Sequence, residues 1–285
     1  MTKRGIAFSG GGSRGQFHVG VAKKLIGENH IDYDCYAGVS VGALVAACLS
    51  QFKDGDEARA YAELERVFSA VHSKDIWKSW FPFGRLSLWK TSLLDSSPLA
   101  KLTRKEFNAD LARNSGKELR VGAVSLNRLK NQTFGLDDAS IADAVIASSA
   151  MPVFFTPVKM HGEWWTDGGI RETTPIKACL EAGCDEIDVV ICQPEAQPLK
   201  GKPTLMQIIG RAVESMSDEI VWRDYKMAVM YNRLAEFDRS RRRVKLRLFS
   251  PVSPLNGDAL KFDPTEAAML QAEGYKVACD ALARK

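Results

Sequence analysis

Gly38-Val39-Ser40-Val41-Gly42 lies between a short apolar run, residues 33–39, and a helical pattern that reaches about residue 51. A serine between two glycines, after a strand and before a helix, has the form of a nucleophile elbow. The glycines permit a turn sharp enough to lift the hydroxyl clear of the sheet. The same residues also fit a tight strand–helix connection with Ser40 as an N-cap. The preceding unit favours the nucleophile. Residues 3–9 are another short apolar run, Gly10-Gly11-Gly12-Ser13-Arg14-Gly15 follows, and residues 16–26 have helical spacing. A glycine loop and a serine elbow therefore open consecutive helices of one βαβ unit.

Gly10 to Gly15 also fits G-x-G-x-x-G, a turn that can seat a dinucleotide pyrophosphate on a helix N-terminus. That reading needs an acid at the end of the second strand. Asp32 and Asp34 come before or at the start of that strand, and its end carries the elbow instead. The same physics serves another anion: backbone N–H groups in the glycine turn, aimed by the first-turn helix dipole, can stabilise a tetrahedral oxyanion. Arg14 either fixes the loop through an ion pair or meets a substrate phosphate.

Further along, helical patterns are expected over 57–71, 98–114, 140–150, 175–182 and 264–284, with 204–238 a long helix or a broken pair. Strands are expected over 119–126, 131–135, 153–160, 163–166 and 187–192, the last a continuous apolar run covered on both faces. Residues 244–249 alternate as an edge strand does, and 74–97 form an irregular, aromatic-rich excursion. Strands alternating with helices mean an α/β fold with a mostly parallel central sheet flanked by helices. No repeat or flexible linker divides residues 1–285, so one domain is expected, with a helical C-terminal part from about 200.

A Ser–His–acid triad fits poorly. The histidines are His18, His30, His72 and His161, none beyond 161, and only 39 residues precede the serine. His161, in a turn between two strands, reads as a surface residue. A carboxylate could act directly if held against the hydroxyl. Asp167, in Trp164-Trp165-Thr166-Asp167-Gly168-Gly169, follows a short apolar strand, and its glycines open the turn for another backbone to approach. An ordinary Asp-Gly turn is the alternative. As a base, Asp167 needs a pKa above the usual carboxylate range, with apolar neighbours such as Trp164 or Trp165 expected to raise it.

These three motifs, in this order, resemble those of the patatin-like phospholipases. Ala147-Ser-Ser-Ala-Met-Pro-Val-Phe-Phe-Thr-Pro157 is similar to the family's segment before the aspartate, and the likeness covers about residues 4–195. The resemblance implies a three-layer fold, a Ser40–Asp167 dyad, an oxyanion hole in the glycine loop, and hydrolysis of acyl esters of phospholipids or related lipids. It implies no metal and no organic cofactor. A soluble esterase or thioesterase, and a non-catalytic lipid- or nucleotide-binding module, are the rival readings.

A net charge of +4 over 285 residues is too mild for a nucleic-acid partner. The basic run Arg239-Ser-Arg-Arg-Arg243 reads as a solvated helix end, with anionic lipid head groups the alternative. No stretch approaches the roughly 20 apolar residues of a spanning helix. The opening residues lack the apolar core of a signal peptide, and the six scattered cysteines read as reduced. A cytoplasmic protein, peripheral to a membrane, is expected. Trp77, Trp80, Phe81, Phe83 and Trp89, interleaved with Lys78, Arg85 and Lys90, suit either a bilayer-facing lid or a cap on the core. The residues identify neither a second copy nor an activating partner.

Overall fold

The computed structural model describes residues 2–80, 90–193, 205–238, 242–253, 255 and 258–284. Its frame is an eight-stranded sheet. Strands β1 (Arg4–Phe8), β2 (Cys35–Gly38), β3 (Glu118–Ser125), β4 (Lys130–Phe134), β5 (Val158–Met160), β6 (Glu163–Asp167), β7 (Glu186–Val190) and β8 (Lys245–Phe249) run in the order β5-β6-β3-β2-β1-β7-β8, with β4 also paired to β3. From β3 to β8 the pairings are parallel. The β4, β5 and β6 pairings are antiparallel. As its alternation predicts, β8 closes one edge.

Strand alternation sorts the core into two faces. Ile6 and Phe8 of β1 point to one side with Tyr36, Leu119 and Val121, where α1 (Gln16–Ala22), α2 (Val41–Leu49), α3 (Glu57–Ser69), the later α7 and the C-terminal α10 bury their apolar stripes. Ala7 points to the other side with Ala37, Ile187 and Val189, covered by α8 and α9. The result is helix, sheet, helix in three layers. After α1 the chain widens into a π-type turn, Lys23–Glu28.

Short helix α4 (Ser73–Ile76) begins the aromatic-rich excursion, which returns through a bridge between Lys78 and Asp95. The single helix expected over 98–114 divides into α5 (Ser97–Glu106) and α6 (Ala109–Arg113). Asn108 causes the break: its Oδ1 accepts from the N–H groups of Asp110 and Leu111, so it starts a new helix rather than continuing the old one. Then come α7 (Ile141–Ser148), α8 (Ile176–Glu181), α9 (Leu205–Phe237) and α10 (Pro264–Ala283). Residues 204–238 thus contain one 33-residue helix. The strand expected over 153–160 shrinks to β5, because Val153 takes φ 72° and prolines stand at 152 and 157. All six cysteines are free thiols, five of them buried.

Trp77 donates its indole N–H to the carbonyl of Leu260 at 2.9 Å, and Trp80 donates to that of Ser92 at 3.1 Å. The Trp77 ring packs against the core, and Lys90 Nζ lies over the Trp80 ring, 4.9 Å from its centre. Phe81, Phe83, Arg85 and Trp89 lie outside the described residues, as do residues 239–241. Arg242 bonds to Asp185 at 2.9 Å.

Candidate active site

Ser40 leaves β2 in a backbone conformation uncommon for a non-glycine residue, φ 56° and ψ −128°. Its neighbours enforce the turn. A Cβ on Gly38 would lie 2.1 Å from the carbonyl oxygen of Gly42, and a Cβ on Gly42 would lie 2.3 Å from that of Phe8, so neither position admits a side chain. Two serines of the α7 end clamp the strained residue. The Ser40 N–H donates to Ser148 Oγ at 2.9 Å, and Ser149 Oγ donates to the Ser40 carbonyl at 3.1 Å.

Sheet register brings Asp167 to this point. Strand β2 accompanies β3 as far as the Gly38–Val121 pair, and antiparallel β6 ends with Asp167 opposite Ala123. Gly168 fits against the elbow, where a Cβ would be 3.1 Å from Val39 Cγ1. The carboxylate is buried, and its Oδ1 accepts from Gly169 N–H at 2.7 Å. Burial pushes Asp167 up to about 6, against the opposing pull of the Gly169 N–H and the Ser40 hydroxyl. The expected rise is present, but its source differs from the tryptophans proposed for it. Trp164 is 42% exposed, while Trp165 packs edge-on against Phe134 and bonds to the Met160 carbonyl. Met151, Pro152, Phe155 and Ile170 line the cavity around the carboxylate instead.

No histidine lines that cavity. His18 is buried against Phe8, and burial lowers its pKa to about 3. His161 stacks on Phe134 and bonds to Asp138, with 45% of its side chain exposed.

In the glycine loop, the N–H of Gly10 donates to Thr173 O at 3.0 Å, and the Gly10 carbonyl accepts from Gln193 Nε2 at 2.7 Å. A trans peptide directs its N–H opposite its C=O, so this bond aims the Gly11 N–H away from Gln193. The Gly11 and Gly12 N–H groups have no hydrogen-bond partner among the described residues. Positive φ values of 155° and 59° at these residues shape the turn. Arg14 is buried and lines the same cavity as Asp218, and Gly15 packs tightly against Val41.

Ser40 stands where two cavities meet. One runs along α2 past Leu44, Ala47 and Cys48 to Phe107 and is almost wholly apolar. The other holds Asp167, the glycine loop, Arg14, Gln193 and Asp218. Ser217, Ala259, Leu260 and Phe262 also line it, so the region after 200 helps to build the site. Nothing in that region stood out as a motif. Ser148 and Ser149 fall in the 147–157 segment already singled out, whereas Thr173 and Gln193 carry no signature, since a bond to a distant backbone leaves no local pattern.

The patatin-like phospholipase family model matches residues 6–180. The chain belongs to this family. A cGAMP-activated phospholipase of Pseudomonas aeruginosa is 27% identical over 185 residues, 60% of this patatin-like chain and 53% of that protein. YqhO of Bacillus subtilis, uncharacterised, is 28% identical over 74% of this chain and 79% of its own. Thus the match spans about half the length of the first relative. Among solved structures, VipD of Legionella pneumophila aligns with 99% of this chain and 67% of its own at a TM-score of 0.47 and 14% identity. Among the described residues of this patatin-like chain, no helix is long and apolar enough to cross a membrane.

Proposed function

We propose that this chain is a serine acyl hydrolase of phospholipids or related lipids, acting as one domain at a membrane surface without an added metal or organic cofactor. The observation that carries the reading is the position of Ser40 at the junction of an apolar and a polar cavity, against the raised carboxyl of Asp167. The apolar cavity suits an acyl chain, and the polar one suits the alcohol portion that departs.

Asp167 takes the Ser40 proton as Oγ attacks the ester carbonyl. The charge that develops on the carbonyl oxygen meets the Gly11 and Gly12 N–H groups. Collapse breaks the ester bond and passes the proton from Asp167 to the departing alkoxide, leaving Ser40 acylated. Water then attacks the acyl-serine with Asp167 again as base, releasing a fatty acid and restoring the hydroxyl. A base near 6 suits the task, being ionised at neutral pH yet stronger than a free aspartate. A cytoplasmic, membrane-peripheral protein without a nucleic-acid partner fits the reading.

Fluorophosphonate labelling tests the nucleophile: wild type takes up label and Ser40→Ala does not. Incubation with mixed phospholipid vesicles, read by mass spectrometry, should give free fatty acid and lysolipid. Labelling that survives in Ser40→Ala, or hydrolysis confined to short soluble esters, overturns the reading.

A further inference from the structure

A separate, open groove of about 880 Å³ shares no lining residue with either active-site cavity. It lies between the β3–β4 turn, the segment that follows β6, α8 and α9. Five cations line it, Arg128, Lys130, Arg171, Lys177 and Arg223, with two acids, Glu172 and Asp224; Arg128 pairs with Glu163 at 2.9 Å, Lys177 with Glu181 at 3.4 Å and Arg223 with Asp224 at 3.3 Å. Burial, and then Asp224, push Glu172 up to about 7, so one acid is partly neutral at neutral pH. Asp224 Oδ2 accepts from the N–H groups of Thr173 and Thr174 at 3.0 and 3.2 Å, and its Oδ1 accepts from Arg223 Nη2 at 3.3 Å.

The walls are built rather than loose. Arg171 Nη2 donates to Leu129 O at 2.5 Å, and Arg223 Nη2 donates to Arg171 O at 2.9 Å. Leu129 holds φ 54° at the tip of its turn and is 63% exposed beside Met227, 60% exposed. An ordinary surface lacks the next feature. Thr174 is fully buried, yet among the described residues its Oγ1 has no hydrogen-bond partner; Asn131, half-buried, donates its Nδ2 to Glu172 at 2.6 Å and leaves its buried Oδ1 without one. Both residues line the groove. Buried polar atoms are nearly always bonded, so two orphans under a cationic rim mark a seat for something polar. Lys130 has no ion pair among the described residues, and Arg171 bonds only to a backbone carbonyl.

We propose that this groove binds an organic phosphate, the phosphate group against Lys130, Arg171 and Lys177 and an apolar portion on Leu129 and Met227. A phosphate supplies several acceptors to such donors. A hydroxyl or amide on the same ligand would meet Thr174 and Asn131. A free phosphorylated metabolite and a phospholipid head group share this chemistry.

The full chain carrying Ser40→Ala, which removes turnover, separates the sources. Titration with adenosine triphosphate probes a free phosphate. Co-sedimentation with phosphatidylglycerol vesicles, against phosphatidylcholine vesicles, probes a head group. One probe binds, and the pair Lys130→Glu and Lys177→Glu weakens it by about tenfold or more. Thr174→Val weakens it by about threefold or more with no fall in the denaturation midpoint, because the lost hydroxyl had no protein partner. Three results overturn the site: neither probe binds, binding survives the charge reversal, or Thr174→Val leaves affinity unmoved, which marks a diffuse counter-ion cloud.

Discussion

Ser148 Oγ joins two backbones distant in sequence: it accepts from the N–H of Ser40 at 2.9 Å and donates to the carbonyl of Gly122 at 2.6 Å. Strand β3 thereby holds the elbow. Replacing Ser148 with alanine leaves both partners buried and unbonded, a cost of about 2 kcal/mol. The expected outcome is a lower urea midpoint and about a tenfold loss of kcat on a soluble ester. An unchanged midpoint would show that the elbow holds itself.

On the proposed reading, Gln193 acts on the oxyanion donors through the Gly10–Gly11 peptide. With Gln193→Met, the Gly10 carbonyl loses its 2.7 Å bond and keeps those from Ser9 Oγ at 3.0 Å and Cys192 Sγ at 3.2 Å, so the aim of the Gly11 N–H loosens. Because the donors serve the transition state more than the ground state, kcat should fall by about ten- to a hundredfold while KM stays near wild type. Steady-state kinetics on one ester decides, and a rise in KM alone would contradict the assignment.

Asp167 links activity and stability to pH with opposite signs. Its folded pKa of about 6 lies above the ordinary value of 3.8. Below the lower figure the carboxyl is protonated in both states. Between the two only the unfolded chain ionises, so stability falls as pH rises, by about 3 kcal/mol in all, and stays lowered above 6. Activity rises through the same window because the base must be ionised. Asp167→Asn should lower turnover by about a thousandfold and raise the denaturation midpoint at neutral pH. An activity profile flat down to pH 4 would rule out the raised base.

The apolar cavity follows one stripe of α2, in which Leu44, Ala47 and Cys48 recur at helical spacing. Ala47→Phe should obstruct it part-way. The expected result is retained hydrolysis of butyryl esters and loss of palmitoyl esters by about tenfold or more, read as the ratio of kcat/KM across a chain-length series. Equal losses at both lengths would place the acyl chain elsewhere.

The fold was legible wherever a pattern repeats along one element. Alternation identified β8, and strand–glycine–helix units identified β1 and β2 with their turns. It was not legible where a side chain competes with helix propensity at one position, as Asn108 does between α5 and α6. The split of residues 153–160 follows from Val153 in the left-handed region, which no propensity for valine suggests. For the site, Ser40 and Asp167 announced themselves through the glycines their turns require. The environment of Asp167 did not. The adjacent tryptophans were the apolar residues nearest in sequence, whereas Met151 and Phe155 reach the carboxyl through the tertiary fold.

The apolar arm has a kinetic consequence. A cavity that encloses an acyl chain holds the freed fatty acid as firmly as the ester, since its walls do not sense the bond that broke. On the proposed reading the alcohol half leaves through the polar arm, and the chain half withdraws past Ser40. Exit of the fatty acid then sets the turnover time for long chains, and the enzyme's clock runs on desorption. Rapid mixing should reveal a burst of alcohol product with long-chain substrates that fades as the chain shortens. A linear onset at every length would mean that cleavage remains the slow step.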